Sequence, residues 1–171
     1  MPPEDNMRTA RRLYDAFNSQ DAGALLAVLA PRFRGVVSNG MPDALGGSYD
    51  GPEAMLHDCW ARAFALLDVR PVPDEYLPAG TDRIVVVGRY LGIARSSGRP
   101  LCAAFAHILR FADGLITELV QITDTQRWHE ALAAQRLCCR QASQNARGHK
   151  PSDAQLGPDA AYAAPPEILD G

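Results

Sequence analysis

Three β-type runs in series, joined by two tight turn signals between Arg83 and Asp124, set the narrowest limits on what this chain can fold into. The first run, Arg83 to Ile93, is rich in β-branched residues and leads into the turn cluster Ser96-Ser97-Gly98-Arg99-Pro100. The third, Leu115 to Thr123, follows Ala112-Asp113-Gly114. β-Branched side chains favour strands, and Asp-Gly between apolar runs favours a hairpin because glycine takes a positive φ without strain. Two hairpins in series make an antiparallel meander. Gly88 and Gly92, inside the first run, mark either a bend of the sheet or close packing against a helix.

The middle run, Leu101 to Phe111, shows what the sheet encloses. Alternate residues of a strand point to opposite faces, and the odd positions give Leu101, Ala103, Phe105, His107, Leu109 and Phe111. That face is apolar except at His107, so it looks into a core or a cavity and buries an imidazole. A buried polar atom left unpaired costs about 1–3 kcal/mol, so His107 needs a hydrogen-bond partner or a ligand.

Upstream the period is helical, with Met7, Ala10, Leu13, Tyr14 and Phe17 on one stripe and Arg8, Arg11 and Arg12 largely off it, as a solvated face. Asn18 to Asp21 interrupts the period and caps a second helix, Ala22 to Ala30, which Pro31 helps to end. A brief strand, Phe33 to Val37, follows. The stretch Gly46 to Pro52 reads as a loop capping a third helix, with Met55, Cys59, Ala63 and Leu66 at helical spacing. Arg70 to Leu77, broken by Pro71 and Pro73, fits an edge strand. A last helix begins near Thr125, after Asp124, and carries Trp128, Leu132 and Leu137. The predicted class is α+β, with helices closing one side of a bent antiparallel sheet. One domain over residues 5–138 is expected. Beyond it the composition turns to Ser, Asn, Gln, Gly, Ala and Pro, and residues 140–171 are expected to be a mostly disordered tail.

Composition mainly excludes. A net charge of −3 with no basic stripe beyond the first helix does not support nucleic-acid binding. No run of about 18 apolar residues and no signal-peptide core follow the start, so a cytoplasmic protein without a membrane partner is expected. Cys59, Cys102, Cys138 and Cys139, and His57, His107, His129 and His149, show no metal-ligand spacing. The cysteines are expected as free thiols, buried at 59 and, on one reading, at 102. Neither a metal nor a cofactor is expected, since nucleophile elbow, phosphate loop and dinucleotide fingerprint are missing from the sequence.

Five stretches carry a resemblance: Tyr14 to Asp21, Gly46 to Ala54, Asp82 to Tyr90, Phe105 to Gly114, and Gln121 to Thr125. Through them the chain from about Arg8 to Leu132 resembles the SnoaL-like and ketosteroid-isomerase-related branch of the nuclear transport factor 2 superfamily. The resemblance implies a cone, a strongly curved antiparallel sheet wrapped around helices with an apolar pocket at the wide end, and a homodimer through the outer sheet face. It also implies cofactor-free acid/base chemistry beside a carbonyl. His107 falls where the isomerases place a protonated aspartic acid in their oxyanion hole and where SnoaL-type cyclases can have a histidine. Gln121 falls where those cyclases place a catalytic aspartate, and an amide orients a substrate but cannot take its proton. The isomerases' tyrosine aligns best with Leu13; Tyr14, one residue on, is turned by about 100°. Their base lies on the loop after the first strand, where Asp43 is the ionisable group.

An imidazole, with an unperturbed pKa of about 6.5, gives or takes a proton near neutrality. His107 is thus the first catalytic candidate, with Asp43 or Asp124 as the complementary carboxylate; Asp124 equally suits the cap of the last helix. Gln121 faces His107 across the hairpin if a bulge at Gly114 sets that register. Tyr14, Tyr49, Trp60, Phe105 and Tyr90 are the substrate-binding candidates, Tyr90 facing either the cavity or a dimer partner. The expected activity is isomerisation, cyclisation or dehydration of a hydrophobic, carbonyl-containing metabolite of polyketide-like or terpenoid-like character. The alternatives are an epoxide hydrolase of the same fold and a non-catalytic small-molecule-binding dimerisation module.

Overall fold

The structure of the protein, a computed structural model, describes residues 3–133. The expected tail, and Cys138, Cys139 and His149, lie outside the described residues. Helix α1 (Pro3–Ser19) buries Ala10, Leu13, Tyr14 and Phe17 and turns Arg8, Arg11 and Arg12 outward, as its periodicity requires. In α2 (Ala22–Ala27) the Asp21 carboxylate accepts from the Ala24 amide at 2.9 Å, satisfying one unpaired N–H of the first turn. This helix stops before Ala30. Strand β1 (Leu29–Val37) starts earlier than expected and contains Pro31. The proline is tolerated because pairing with the neighbouring strand is irregular between Leu29 and Arg34, so no ladder bond needs its missing N–H.

A second strand, β2 (Gly47–Asp50), occupies what the sequence suggested was a loop, and pairs antiparallel with β1. The next helix runs as α3 (Pro52–Ala54), a π-helical segment (Met55–Trp60) and α4 (Ala61–Leu66). Then come β3 (Leu67–Pro78), β4 (Arg83–Ala94), β5 (Pro100–Ala112), β6 (Leu115–Thr123) and α5 (Thr125–Leu132). The sheet order is β2-β1-β6-β5-β4-β3. Among the described strands only the β1–β6 pair is parallel, and β3, with Pro71, Pro73 and Pro78, is an edge. The helices lie against one face of this curved, open six-stranded sheet. Leu13, Leu67, Val86, Ala103, Leu109 and Ile116 are fully buried between the layers.

Asp113 and Gly114 both take positive φ, 50° and 77°, and make the two-residue hairpin turn between β5 and β6. Next to the turn Ala112 pairs with Leu115 and Phe111 with Ile116, but farther along Arg110 pairs with Glu118 and His107 with Gln121. One residue of β6 is therefore extra, at Thr117. Without that bulge Val120 would stand opposite His107, since a one-residue slip exchanges the faces of a strand. The bulge was expected at Gly114 itself; it lies between Arg110 and Phe111 in the ladder.

Gly88 and Gly92 serve the bend of the sheet, where β3 comes too close to β4 for side chains between them. A Cβ on Gly92 would run into the Asp68 carbonyl oxygen and stand 2.8 Å from Val69 Cα. On Gly88 it would meet the Val72 carbonyl and stand 2.8 Å from Phe105 Cζ. Gly92→Ala should lower stability by about 1–3 kcal/mol through overpacking. Gly23→Ala, in a helix with its nearest neighbour 3.4 Å from the added Cβ, should hold or raise stability by up to about 1 kcal/mol. Urea midpoints of the two variants check this ordering.

Candidate functional site

The register just described sets a line of four side chains. Alternation turns Phe105, His107 and Leu109 of β5 inward, and the β6 bulge turns Gln121 inward opposite His107. Tyr90 of β4 pairs with Ala103, whose small side chain leaves the phenol room to lean toward the imidazole. Tyr14 reaches it from α1. The Tyr14 hydroxyl lies 2.9 Å from His107 Nδ1, the Tyr90 hydroxyl lies 2.8 Å from His107 Nε2, and Gln121 Nε2 donates to the Tyr90 hydroxyl at 2.9 Å. His107 is only 2% exposed and stacks on Phe105 with ring centroids 4.2 Å apart.

Burial alone drives the imidazole down from its ordinary 6.5 to about 3, so it is neutral and has one N–H and one lone pair for its two phenols. If Nδ1 carried the hydrogen, Tyr14 would accept it and its own O–H, 2% exposed and with no further partner among the described residues, would be stranded in the core. If Nε2 carries it, Tyr14 donates to Nδ1 and the hydrogen left over is that of Tyr90, at the cavity rather than in the core. Tyr90 then accepts from both His107 and Gln121 and directs its own hydrogen into the cavity it lines. The cost of a buried unpaired hydroxyl, about 1–3 kcal/mol, favours this second tautomer. Burial holds both phenols well above their ordinary range, with the Gln121 hydrogen bond opposing the rise at Tyr90.

The cavity measures about 40 Å3 and opens to solvent through a mouth. Val37, Leu119 and Val69 form its sheet side, Met55, Cys59 and Trp60 of the π-helical segment face them, and Trp128 of α5 closes one flank. Burial pushes the Cys59 thiol up to about 12, so this wall is uncharged as well.

The two expected carboxylates are elsewhere. Asp43 sits in a short 3-10 turn (Pro42–Ala44) at φ 56°, and its exposed side chain pairs with Arg62 at 3.3 Å. The left-handed backbone there turns the carboxylate out while its neighbours Met41 and Leu45 line the cavity. Asp124 is exposed and caps α5, accepting from the Arg127 amide at 3.4 Å. Its helix start positions Trp128, which packs edge-on against Tyr90 at 5.1 Å. Among the described residues no carboxylate, arginine or lysine lines the cavity.

Of the binding candidates, Gln121, Tyr90 and Trp60 line the cavity; Tyr14 and Phe105 stand behind it, one bonding and the other stacking on His107. Tyr49 donates to the Leu45 carbonyl at 2.8 Å and so holds the wall from outside. The Tyr14–His107 bond was not foreseen. Its signal lay in the helix stripe, because a tyrosine on a buried face needs a partner for its hydroxyl. Cys102 is exposed on the outer sheet face rather than buried. Among the described residues no three His, Cys, Asp or Glu side chains group as a metal site, and no helix is long and apolar enough to cross a membrane.

The SnoaL-like domain family matches residues 10–119. An NTF2-like protein of unknown function from Burkholderia pseudomallei is 32% identical, with 76% of this chain and 98% of that one covered and a TM-score of 0.69. TerC, co-crystallised with polyporic acid, is 27% identical over 75% of this chain and 98% of its own, with a TM-score of 0.69. IdmH of Streptomyces antibioticus, described as a proposed polyketide cyclase, is 25% identical over 74% and 97%, with a TM-score of 0.64. No curated protein matches the chain at a significant level.

The depressed pKa of His107 sets the sign of a pH effect. Above 6.5 the imidazole is neutral folded or unfolded, and its contribution is fully present. Between 6.5 and about 3 only the unfolded chain takes up the proton, so stability falls as pH falls. The slope is about 1.4 kcal/mol per pH unit. Relative to His107→Asn, the wild type should lose about 2 kcal/mol more between pH 6.5 and about 5 in urea denaturation. Its imidazole nitrogen shifts in NMR should not titrate above pH of about 4.

Proposed function

We propose, for a chain that belongs to the SnoaL-like domain family, that the cavity binds a hydrophobic, carbonyl-containing small molecule. It promotes enolisation-linked isomerisation or cyclisation of that molecule by hydrogen-bond donation from Tyr90. The observation that carries this reading is the Tyr90 hydroxyl, 2.8 Å from His107 Nε2 and 2.9 Å from Gln121 Nε2 at the wall of a largely apolar cavity; in the tautomer favoured above it accepts from both. A phenol that accepts two hydrogen bonds is polarised toward donating its own. Such a donor, fixed before the substrate arrives and shielded from water, stabilises charge developing on a carbonyl oxygen as an oxyanion hole does. As that oxygen takes up charge, Tyr90 strengthens its donation and the His107 Nε2–H and Gln121 bonds to Tyr90 strengthen in turn. His107 and Tyr14 position the donor; Asp43 and Asp124 take no part.

Because the described cavity wall offers no carboxylate, the substrates that suit it are those with an already acidic C–H, such as 1,3-dicarbonyl compounds, whose proton leaves to water or to a basic group of the substrate. The polyketide-like character of such compounds agrees with the description of IdmH as a proposed polyketide cyclase. Nothing at the cavity supports an epoxide hydrolase, which needs two carboxylates and an arginine around one water. Binding without turnover is the second reading, favoured by the amide of Gln121 where an acid would serve as base.

A hydrophobic 1,3-dicarbonyl probe, 2-acetyl-1-tetralone, separates these. Binding should quench Trp60 and Trp128, which line the cavity, and the protein should speed exchange of the probe's acidic C–H in deuterium oxide. Tyr90→Phe should reduce that acceleration by about 10- to 100-fold. Binding with no acceleration would establish the second reading, and no binding would remove both.

A homodimer through the outer sheet face is part of the same proposal. A row of Val36, Val120, Ile108, Val85 and Leu77 crosses five strands there in register, with Ile122 beside it 53% exposed. Arg34, Glu118 and Arg110 border the row with both signs of charge, as a self-complementary two-fold interface requires. Sedimentation should give a dimer that Ile108→Glu converts to a monomer with its far-ultraviolet circular dichroism unchanged; a monomeric wild type would refute it.

A further inference from the structure

Gln121 has a second end. Its Nε2 is engaged by Tyr90 and its backbone carbonyl by the Ser38 hydroxyl at 3.0 Å, while its side-chain Oε1 is buried without a partner among the described residues. The residue as a whole is 8% exposed and lines the cavity. An acceptor left this way costs about 1–3 kcal/mol, unless something else donates to it. Its neighbours do not: none of the polar side chains lining the cavity, Cys59, Trp60, Tyr90, His107 and Trp128, stands within hydrogen-bond reach of it, and the His107 N–H is spent on Tyr90 in the tautomer derived above.

We infer that Gln121 makes the cavity selective for a ligand hydroxyl, an enol, phenol or alcohol, over a bare carbonyl. The inference rests on the reading of the cavity as a small-molecule site with Tyr90 as donor. An oxygen placed between the Tyr90 hydroxyl and Oε1 closes a ring of hydrogen bonds. Gln121 Nε2–H donates to Tyr90, Tyr90 O–H donates to the ligand oxygen, and the ligand O–H donates to Oε1. Every group in that ring donates once and accepts once, so each bond strengthens the next. The carboxamide is planar and rigid, so while Nε2 holds Tyr90 the direction of Oε1 is fixed, and the ligand oxygen is the partner that adjusts. A ketone oxygen in the same place accepts from Tyr90 and leaves Oε1 as it was.

The consequence for a compound that exists as ketone and enol is that the enol is the better-held form. Gln121 is then a specificity-determining residue that rewards the tautomer produced by moving the proton. An aspartate at this position would instead compete for that proton. The two polar ends of one amide thus do different things, one holding the donor and the other reading the ligand.

The test is calorimetric titration of the full chain with 2-naphthol and with 2-methoxynaphthalene, which share a bicyclic frame but only the first of which can donate. The naphthol should bind about tenfold more tightly to the wild type, the difference one hydrogen bond to a buried acceptor makes. Gln121→Met, which keeps the side-chain length and removes the acceptor, should bring the two within about twofold. Equal affinities in the wild type, or a naphthol preference that survives Gln121→Met, would overturn the inference while leaving the cavity reading intact. A preference for the methyl ether would show that the amide presents its NH2 end to the cavity, and would overturn it too. If neither compound binds, the cavity reading fails with it. The wild-type comparison stands even if the variant does not fold.

Discussion

The placing of Gln121 beside Tyr90 and His107 hangs on the register of β5 against β6. A two-residue turn at Asp113 and Gly114 would by itself bring Val120 opposite His107 and leave Gln121 on the outer face. The extra residue at Thr117 reverses the alternation of the rest of β6. Ile116 and Leu119 both remain in the core on either side of it. The same correction places Val120 and Ile122 outside, where they join Ile108 and Val36. One irregularity in one strand therefore assigns both the contents of the cavity and the chemistry of the opposite face. It is anchored at both ends, by the tight turn before it and by the parallel pairing with β1 after it.

What the register assembles is a site without net charge. His107 is kept neutral by burial, the phenols and the thiol of Cys59 are kept protonated by the same cause, and the nearby carboxylates are turned to solvent. In such surroundings a hydrogen bond is worth more than in water, and an unmet one costs more. Neutrality is thus compatible with selectivity, since dipoles fixed in an apolar wall discriminate by geometry and by who donates. It suits ligands that are themselves neutral and largely apolar, and it leaves the ion pairs of the structure to the surface, where they contribute little to stability.

The architecture was legible because its signals are local. Alternation in β5, the Asp-Gly turn, the proline-broken edge and the stripe of α1 each follow from a few adjacent residues. His107 was legible for the same reason, as a polar residue in an apolar alternation. β2 was not, since four residues of mixed polarity in a glycine-rich stretch have no period to detect; nor was the early start of β1, where a proline argued against a strand that tolerates it only because its partner strand slips. The site divides along the same line. That Gln121 faces His107 could be stated only as a condition on a bulge, and no property of Thr117 announces one. Asp43 was misplaced because sequence gives a loop carboxylate no direction, and a left-handed backbone at that residue turned it away. From the sequence Tyr14 is expected to touch substrate, because no local pattern pairs a phenol on the first helix with an imidazole 93 residues on.

The long helix opposite the sheet is π-wound over Met55–Trp60, and three residues of that stretch form cavity wall. A π-turn holds one residue more than an α-turn over the same span. Loss of a single residue there would let the helix relax to ordinary winding while the turns on either side keep their facing, so that only the side chains of the π-wound stretch change which of them reach the cavity. The wall facing the His107 array would be rebuilt in one step, with no strand of the sheet disturbed. Shape and hydrogen bonding are thus carried by separate elements, so that a lineage of such chains can exchange one ligand skeleton for another while the oxygen-binding end stays as it is.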